Sequence, residues 1–113
     1  MFVKLVKEVD LDTFLQKNHD KLVLVKFSTA WCPPCQVLQK NIGELLTELE
    51  KTAAPKKELL VLEVDAEKFP QLAQRTQFRV SSVPTIFLFH QGRMIKKGSG
   101  SLSVQQLREF LDV

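Results

Sequence analysis

Metal-binding side chains are scarce in this chain of 113 residues, which carries two cysteines and two histidines. A structural zinc centre takes about four such ligands. His19 falls at the end of a predicted helix and His90 at the end of a predicted strand, so neither is expected to meet the thiols. Both read as surface residues, and no metal is expected. Long apolar runs are missing as well, which excludes a transmembrane helix. The opening "MFVKLVKEVD" lacks the apolar run and small-residue cleavage site of a secretory leader. A reducing, cytoplasmic setting is therefore expected. No sign of charge dominates: 16 basic residues face 13 acidic ones, for a net charge of +3. The densest basic runs, Lys56-Lys57 and Lys96-Lys97, are too short for a nucleic-acid or polybasic membrane patch. Neither nucleic acid nor membrane is expected as a partner. There are no internal repeats, low-complexity segments or linkers, and the length suits a single domain over residues 1–113.

What the chain does have is an alternation of apolar patterns. Residues 2 to 6 read as a short strand. "DLDTFLQKNH", with Leu11, Phe14 and Leu15 at helical spacing, reads as a helix capped by Asp10 or Asp12. "KLVLVKF", 21 to 27, suits a strand covered on both faces. Leu38, Ile42, Leu45, Leu46 and Leu49 recur at three- and four-residue steps and predict a helix over 34–51, weakened by Gly43. "TAAPKKE" predicts a loop, and "LLVLEVD", 59 to 65, another covered strand. "KFPQLAQRTQ" predicts a short helix with Pro70 in its first turn. "TIFLFH" and "RMIKKGSG" predict an antiparallel hairpin turning at Gln91-Gly92. Ser103 and Gln106 form a capping box ahead of a last helix through Leu111. Early alternation of strand and helix implies parallel strands with helical crossovers; the closing hairpin adds antiparallel ones. The fold class is α/β.

Both thiols lie in "VKFSTAWCPPCQVLQ", residues 25 to 39, where a covered strand gives way to the long helix. A helix start offers free backbone N–H groups and partial positive charge, which favour a thiolate. The i, i+3 spacing sets Cys32 and Cys35 on one face of the first turn, within disulfide reach. Pro33 and Pro34 are tolerated there and stiffen the short ring. Trp31 is expected to shield the pair and to offer a flat apolar contact. A division of labour follows: Cys32, nearer the exposed end, attacks a partner disulfide, and Cys35, one turn deeper, resolves the mixed disulfide. A purely structural disulfide would close too small a ring to constrain the chain, and two inert buried cysteines fit this junction poorly.

These residues resemble the thioredoxin family over nearly the whole chain. The segments that carry the resemblance are "LVLVKFSTAWCPPC", "LEVDAE", "VSSVPTIFLFHQGR" and "GSGSLSVQQLREFL". The resemblance implies a thioredoxin fold, a central five-stranded mixed sheet flanked by four helices. It also implies protein-disulfide reduction, with electrons from a thioredoxin-reductase-type flavoprotein, no bound cofactor and a monomeric chain. It gives Cys32 the attacking role and Cys35 the resolving one. It places a cis-proline at Pro84, where the sequence alone equally allows a trans proline at a strand start. Val83 would present backbone groups to an extended substrate. Trp31, Val83, Pro84, Ser99 and Gly100 would line an apolar groove around Cys32, with Pro33 and Pro34 at its edge, and Gly92 would be the hairpin glycine. Two other readings are compatible with the same residues: a disulfide oxidant or isomerase, and a thioredoxin-like binding module without turnover.

The sequence departs from the family pattern at several positions. Pro33 stands where glycine is commonest and removes a backbone N–H beside the sulfurs. Lys40 stands where the family usually has a helix-kinking proline, so a straighter helix is expected. Ser28 and Ala30 replace what are commonly an aromatic and a polar residue. Lys26 occupies the position of the family's buried aspartate, and Glu63, on the neighbouring strand, that of a common lysine. A buried, unpartnered lysine is disfavoured as a cation, so Lys26 and Glu63 are expected to pair beneath Cys35 and to take part in proton transfer. The bland alternative is a Lys26 that snorkels to the sheet edge. A cation near Cys35 would favour its thiolate and make the protein less reducing than one with aspartate there.

Overall fold

The computed structural model describes residues 1–51 and 58–112. The loop expected over "TAAPKKE" and the basic pair Lys56-Lys57 fall largely or wholly outside the described residues. In chain order the elements are β1 (Phe2–Lys4), α1 (Asp10–Lys17), β2 (Leu22–Ser28), α2 (Pro33–Glu50), β3 (Leu59–Asp65), α3 (Pro70–Ala73), β4 (Thr85–His90), β5 (Arg93–Ser99) and α4 (Val104–Leu111).

The strands form one sheet in the order β1-β3-β2-β4-β5. β1 and β2 both run parallel to β3, while β4 is antiparallel to β2 and β5 antiparallel to β4. The central strand β2 is covered on both faces, as its continuous apolar run requires. Successive side chains on a strand point to opposite faces, and β2 sorts accordingly. Val23, Val25 and Phe27 join Leu11, Leu15, Leu72 and Phe78 in one cluster, on the side of α1 and α3. Leu24 joins Leu38, Ile42, Leu45, Leu107 and Leu111 in another, on the side of α2 and α4. The first layer is aromatic, with Phe78 5.0 Å from Phe27 and 4.9 Å from Phe87 between ring centroids. The second is aliphatic. Lys26 continues the phase of Leu22 and Leu24, so it enters the aliphatic side where that layer ends.

Helix ends account for the differences from the sequence reading. α1 is capped by neither Asp10 nor Asp12: its N-cap is Val9, without a side-chain cap bond. The chain winds into the helix through a turn in which the Asp10 N–H donates to the Lys7 carbonyl at 3.1 Å. Both aspartates therefore sit inside the first turn, where negative charge complements the helix dipole. α3 is shorter than the ten residues of its pattern. Beyond Gln74 the chain turns away: Arg79 takes a positive φ of 43° and the Val80 N–H donates back to the Ala73 carbonyl at 2.8 Å. α2 runs unbroken past Lys40 to Glu50. α4 has the full capping box at Ser103 and Gln106, and its Arg108 is ion-paired with Glu48 of α2. The hairpin turns through Gln91 and Gly92 with φ of 55° and 74°, the left-handed pair that a tight two-residue turn demands. At Gly98 the fit is tight: an added Cβ would sit 3.0 Å from the Phe110 ring, which would have to give by a few tenths of an ångström.

Candidate active site

Cys32 is the N-cap of α2, in an extended conformation, and Cys35 lies one turn in. The first turn of a helix normally leaves its leading N–H groups without partners. Here Pro33 and Pro34 have none to offer. The Gln36 N–H donates to the Cys32 carbonyl at 3.1 Å. The Cys35 N–H is left to donate to the Cys32 sulfur, at 3.2 Å. The proline pair thus concentrates the helix's N-terminal donor capacity on one atom, Cys32 Sγ. The two sulfurs are joined in a disulfide across a Cα–Cα distance of 5.1 Å. Cys32 is 7% exposed and Cys35 3%.

Antiparallel pairing of β4 with β2 brings the residues before β4 to the end of β2, beside the thiols. Cys32 Sγ lies 3.7 Å from the Val83 carbonyl oxygen. In the disulfide this is a contact; a reduced Cys32 thiol has a proton to donate there. The Val83–Pro84 peptide is cis, and the Pro84 carbonyl accepts from the Gly100 N–H at 3.0 Å. Ser99 sits opposite Thr85 in the β4–β5 register. Val83 therefore reaches Cys32 through its carbonyl, Gly100 is tied to Pro84, and Ser99 is held beside Thr85 at the end of β5. Pro33 and Pro34 are exposed. Trp31 does not shield the sulfurs: it is 90% exposed and stands out into solvent. The cysteines are buried instead by their place at the strand-to-helix junction.

On its other side Cys35 borders a cavity of about 420 Å³, whose lining includes Lys26, Gln39, Glu63, Asp65 and Lys68. Lys26 and Glu63 are register partners on the parallel strands β2 and β3. The Lys26 ammonium lies 3.4 Å from Glu63 Oε1, with side-chain exposures of 4% and 25% respectively. Lys26 does not snorkel to the sheet edge. Burial holds its pKa below the usual lysine value, and the attraction and hydrogen bond of Glu63 offset part of that. Lys26 has a further partner that the sequence reading missed: its ammonium donates to Gln39 Oε1 of α2. The signal was available, since Gln39 stands four residues after Cys35 and so shares its helical face.

A five-stranded mixed sheet with a disulfide at the N-terminus of its longest helix, and the carbonyl that precedes a cis-proline beside the outer sulfur, defines a class of redox protein folds. The family model named Thioredoxin matches residues 2–113. Chloroplastic thioredoxin Y2 of Arabidopsis thaliana is 33% identical over 112 residues, covering 97% of this chain. The chain spans only 62% of that relative's length. Thioredoxin of Chlamydia muridarum is 35% identical over 96 residues, covering 85% of each chain. Among solved structures, a chain from a study of thiol resolution in a yeast mitochondrial 1-Cys peroxiredoxin via glutathione/thioredoxin systems superposes with a TM-score of 0.77. It does so at 18% identity, over 99% of this chain and 95% of its own, which supports the fold. The chain belongs to the thioredoxin family.

Proposed function

We propose that this protein is a dithiol-disulfide oxidoreductase that reduces disulfides in partner proteins. The Cys32 thiolate attacks one sulfur of the partner disulfide, and the other partner sulfur leaves as a thiolate and takes up a proton. The Cys35 thiolate then attacks Cys32 Sγ, the second partner sulfur leaves, and the Cys32–Cys35 disulfide closes. Two electrons pass to the partner, and the two protons that its thiols gain balance the two lost by Cys32 and Cys35. A thioredoxin-reductase-type flavoprotein would return two electrons and two protons. We place this cycle in a cytoplasmic monomer.

The observation that carries the reading is the disulfide at the N-cap of α2, with the Cys35 N–H on the outer sulfur and the Val83 carbonyl beside it. The N–H and the helix dipole stabilise negative charge at Cys32, so its thiol should ionise more readily than a free one. An extended substrate strand would find backbone partners at Val83, with Pro84, Ser99, Gly100 and the exposed Trp31 completing the contact surface. Behind the pair, Lys26 and Glu63 would serve proton exchange at Cys35, through water in the cavity. The buried ammonium also favours the dithiol form, so the reduction potential should be less negative than with a carboxylate in its place. A strongly oxidising value would instead mark an oxidant or isomerase.

Insulin reduction driven by dithiothreitol tests the proposal. Turnover is expected from the unmutated protein and should fall to background in Cys32→Ser. Cys35→Ser should accumulate a mixed disulfide on Cys32. Absence of turnover in the unmutated protein, with tight partner binding retained by Cys32→Ser, would make the domain a binding module.

A further inference from the structure

We propose that Gln39 is a positioning residue for the resolving step: its amide oxygen holds the Lys26 ammonium on the α2 side of the cavity, facing Cys35. This inference deepens the proposed thiol-exchange reading and rests on it. Three elements meet at Lys26. β2 supplies the lysine, β3 supplies Glu63 as ion-pair partner, and α2 supplies both Gln39 and Cys35. Glu63 is a quarter exposed, while the lysine side chain is buried. With Glu63 as its only partner, the ammonium would be drawn toward β3 and the cavity mouth, away from the helix that carries the thiol. Gln39, one helical turn beyond Cys35, supplies the opposing anchor.

The residue type matters as much as the position. A carboxylate at position 39 would anchor the lysine too, but would leave the trio with a net charge of −1 next to a forming thiolate. The neutral amide leaves the Lys26–Glu63–Gln39 trio at zero. An ammonium has three N–H groups. Gln39 and Glu63 engage two directions, and a thiolate formed at Cys35 on reduction would be a third acceptor within the same cavity. The other charged groups lining this space are Lys4 from β1, Asp65 from β3 and Lys68 from the segment that follows it; across from Lys26 on β4 stands uncharged Ile86. Lys4 and Lys68 are exposed, so their charges are screened by solvent, whereas the anchored ammonium is not.

The test titrates Cys35 by the carbon-13 shift of its Cβ in a Cys32→Ser background, where a single thiol is present and no second thiol titrates with it. Gln39→Met keeps the volume and the flexible stem and removes the acceptor. It should raise the Cys35 midpoint by about one pH unit. In a protein that also carries Lys26→Met, the same exchange should produce no further rise. Gln39→Asn, which withdraws the amide by one methylene, should shift the midpoint in the same direction and guards against a folding defect in the first variant; melting temperatures verify both. An unmoved midpoint in folded Gln39→Met would overturn the proposal, as would an equal rise with and without Lys26. The titration needs no turnover, so failure of insulin reduction sinks the thiol-exchange reading separately.

Discussion

Cys32 and Cys35 belong to one disulfide but face different surroundings. Cys32 meets a backbone carbonyl of Val83, and its chain neighbour Trp31 stands exposed. Cys35 meets a cavity that holds a buried cation, a half-buried carboxylate and an amide. Backbone groups read any extended chain regardless of side chain, which suits varied partners on the Cys32 side. Fixed charges govern protonation, which suits the attack that the proposed cycle assigns to the inner sulfur. In the proposed cycle, selection of partners and control of ionisation are thus separated by the thickness of one helical turn.

The sharpest way to break this contrast is to remove the inner carboxylate. Glu63→Leu leaves the Lys26 ammonium in a low-dielectric site with only an amide. Loss of one partner of a fully buried pair costs about 3–5 kcal/mol; because Glu63 is partly exposed, about 1–3 kcal/mol is expected here, or roughly 5–10 °C in melting temperature. Denaturant titration at pH 7 checks this, and the deficit should shrink as pH rises toward 10.5 and Lys26 sheds its proton. No loss at pH 7 would mean that solvent already reaches the ammonium.

A smaller effect is expected from Lys26→Met. The folded pKa of Lys26 lies below its unfolded value of 10.5. Between the two the unfolded chain binds more protons, so stability of the unmutated protein rises with pH across that window and is lost as pH falls through it. Lys26→Met lacks this dependence. It should be equal in stability to the unmutated protein at pH 7, or more stable by about 1–2 kcal/mol, and its advantage should narrow as pH approaches 10.5. Parallel stability curves for the two proteins would contradict the pKa shift. The pH profile of insulin reduction should move as well; an unchanged profile would remove Lys26 from the chemistry.

The smallest expected effect lies on the outer side. Trp31→Ala removes an exposed ring, so stability should change by less than about 0.5 kcal/mol. The KM for a protein disulfide should rise about 3- to 10-fold, as for loss of an aromatic contact residue. Equal KM values would take Trp31 out of the docking surface and leave the backbone groups to carry it.

Much of this arrangement could be read from the chain. The runs "LVLVK" and "LLVLE" place Lys26 and Glu63 at equivalent positions, and the parallel register Leu22 to Leu59 through Lys26 to Glu63 makes them neighbours. The proline pair and the strand-to-helix junction marked the thiols. Three things were not legible. The stance of Trp31 depends on which surfaces the preceding turn covers, and a local pattern holds no record of that. The end of α3 is set by the backbone of Arg79 and Val80, which has no strong residue signature. The cap of α1 falls on Val9, a residue without capping chemistry, because the turn before it already satisfies a helix donor. Gln39 was legible in its four-residue spacing from Cys35, although a neutral polar residue on an amphipathic helix reads first as surface.

The meeting of Cys32 with Val83, 51 positions apart in the sequence, has a consequence for biosynthesis. At ordinary translation speeds of about 5–20 residues per second, the thiols precede that carbonyl out of the ribosome by roughly 3–10 s. Through that interval the nascent segment has its cysteines but no completed sheet to offer them a partner surface. Under the proposed cycle, competence therefore arrives only with the second half of the polypeptide, and a truncated product bearing both thiols would lack the Val83 carbonyl and the cis bond that follows it.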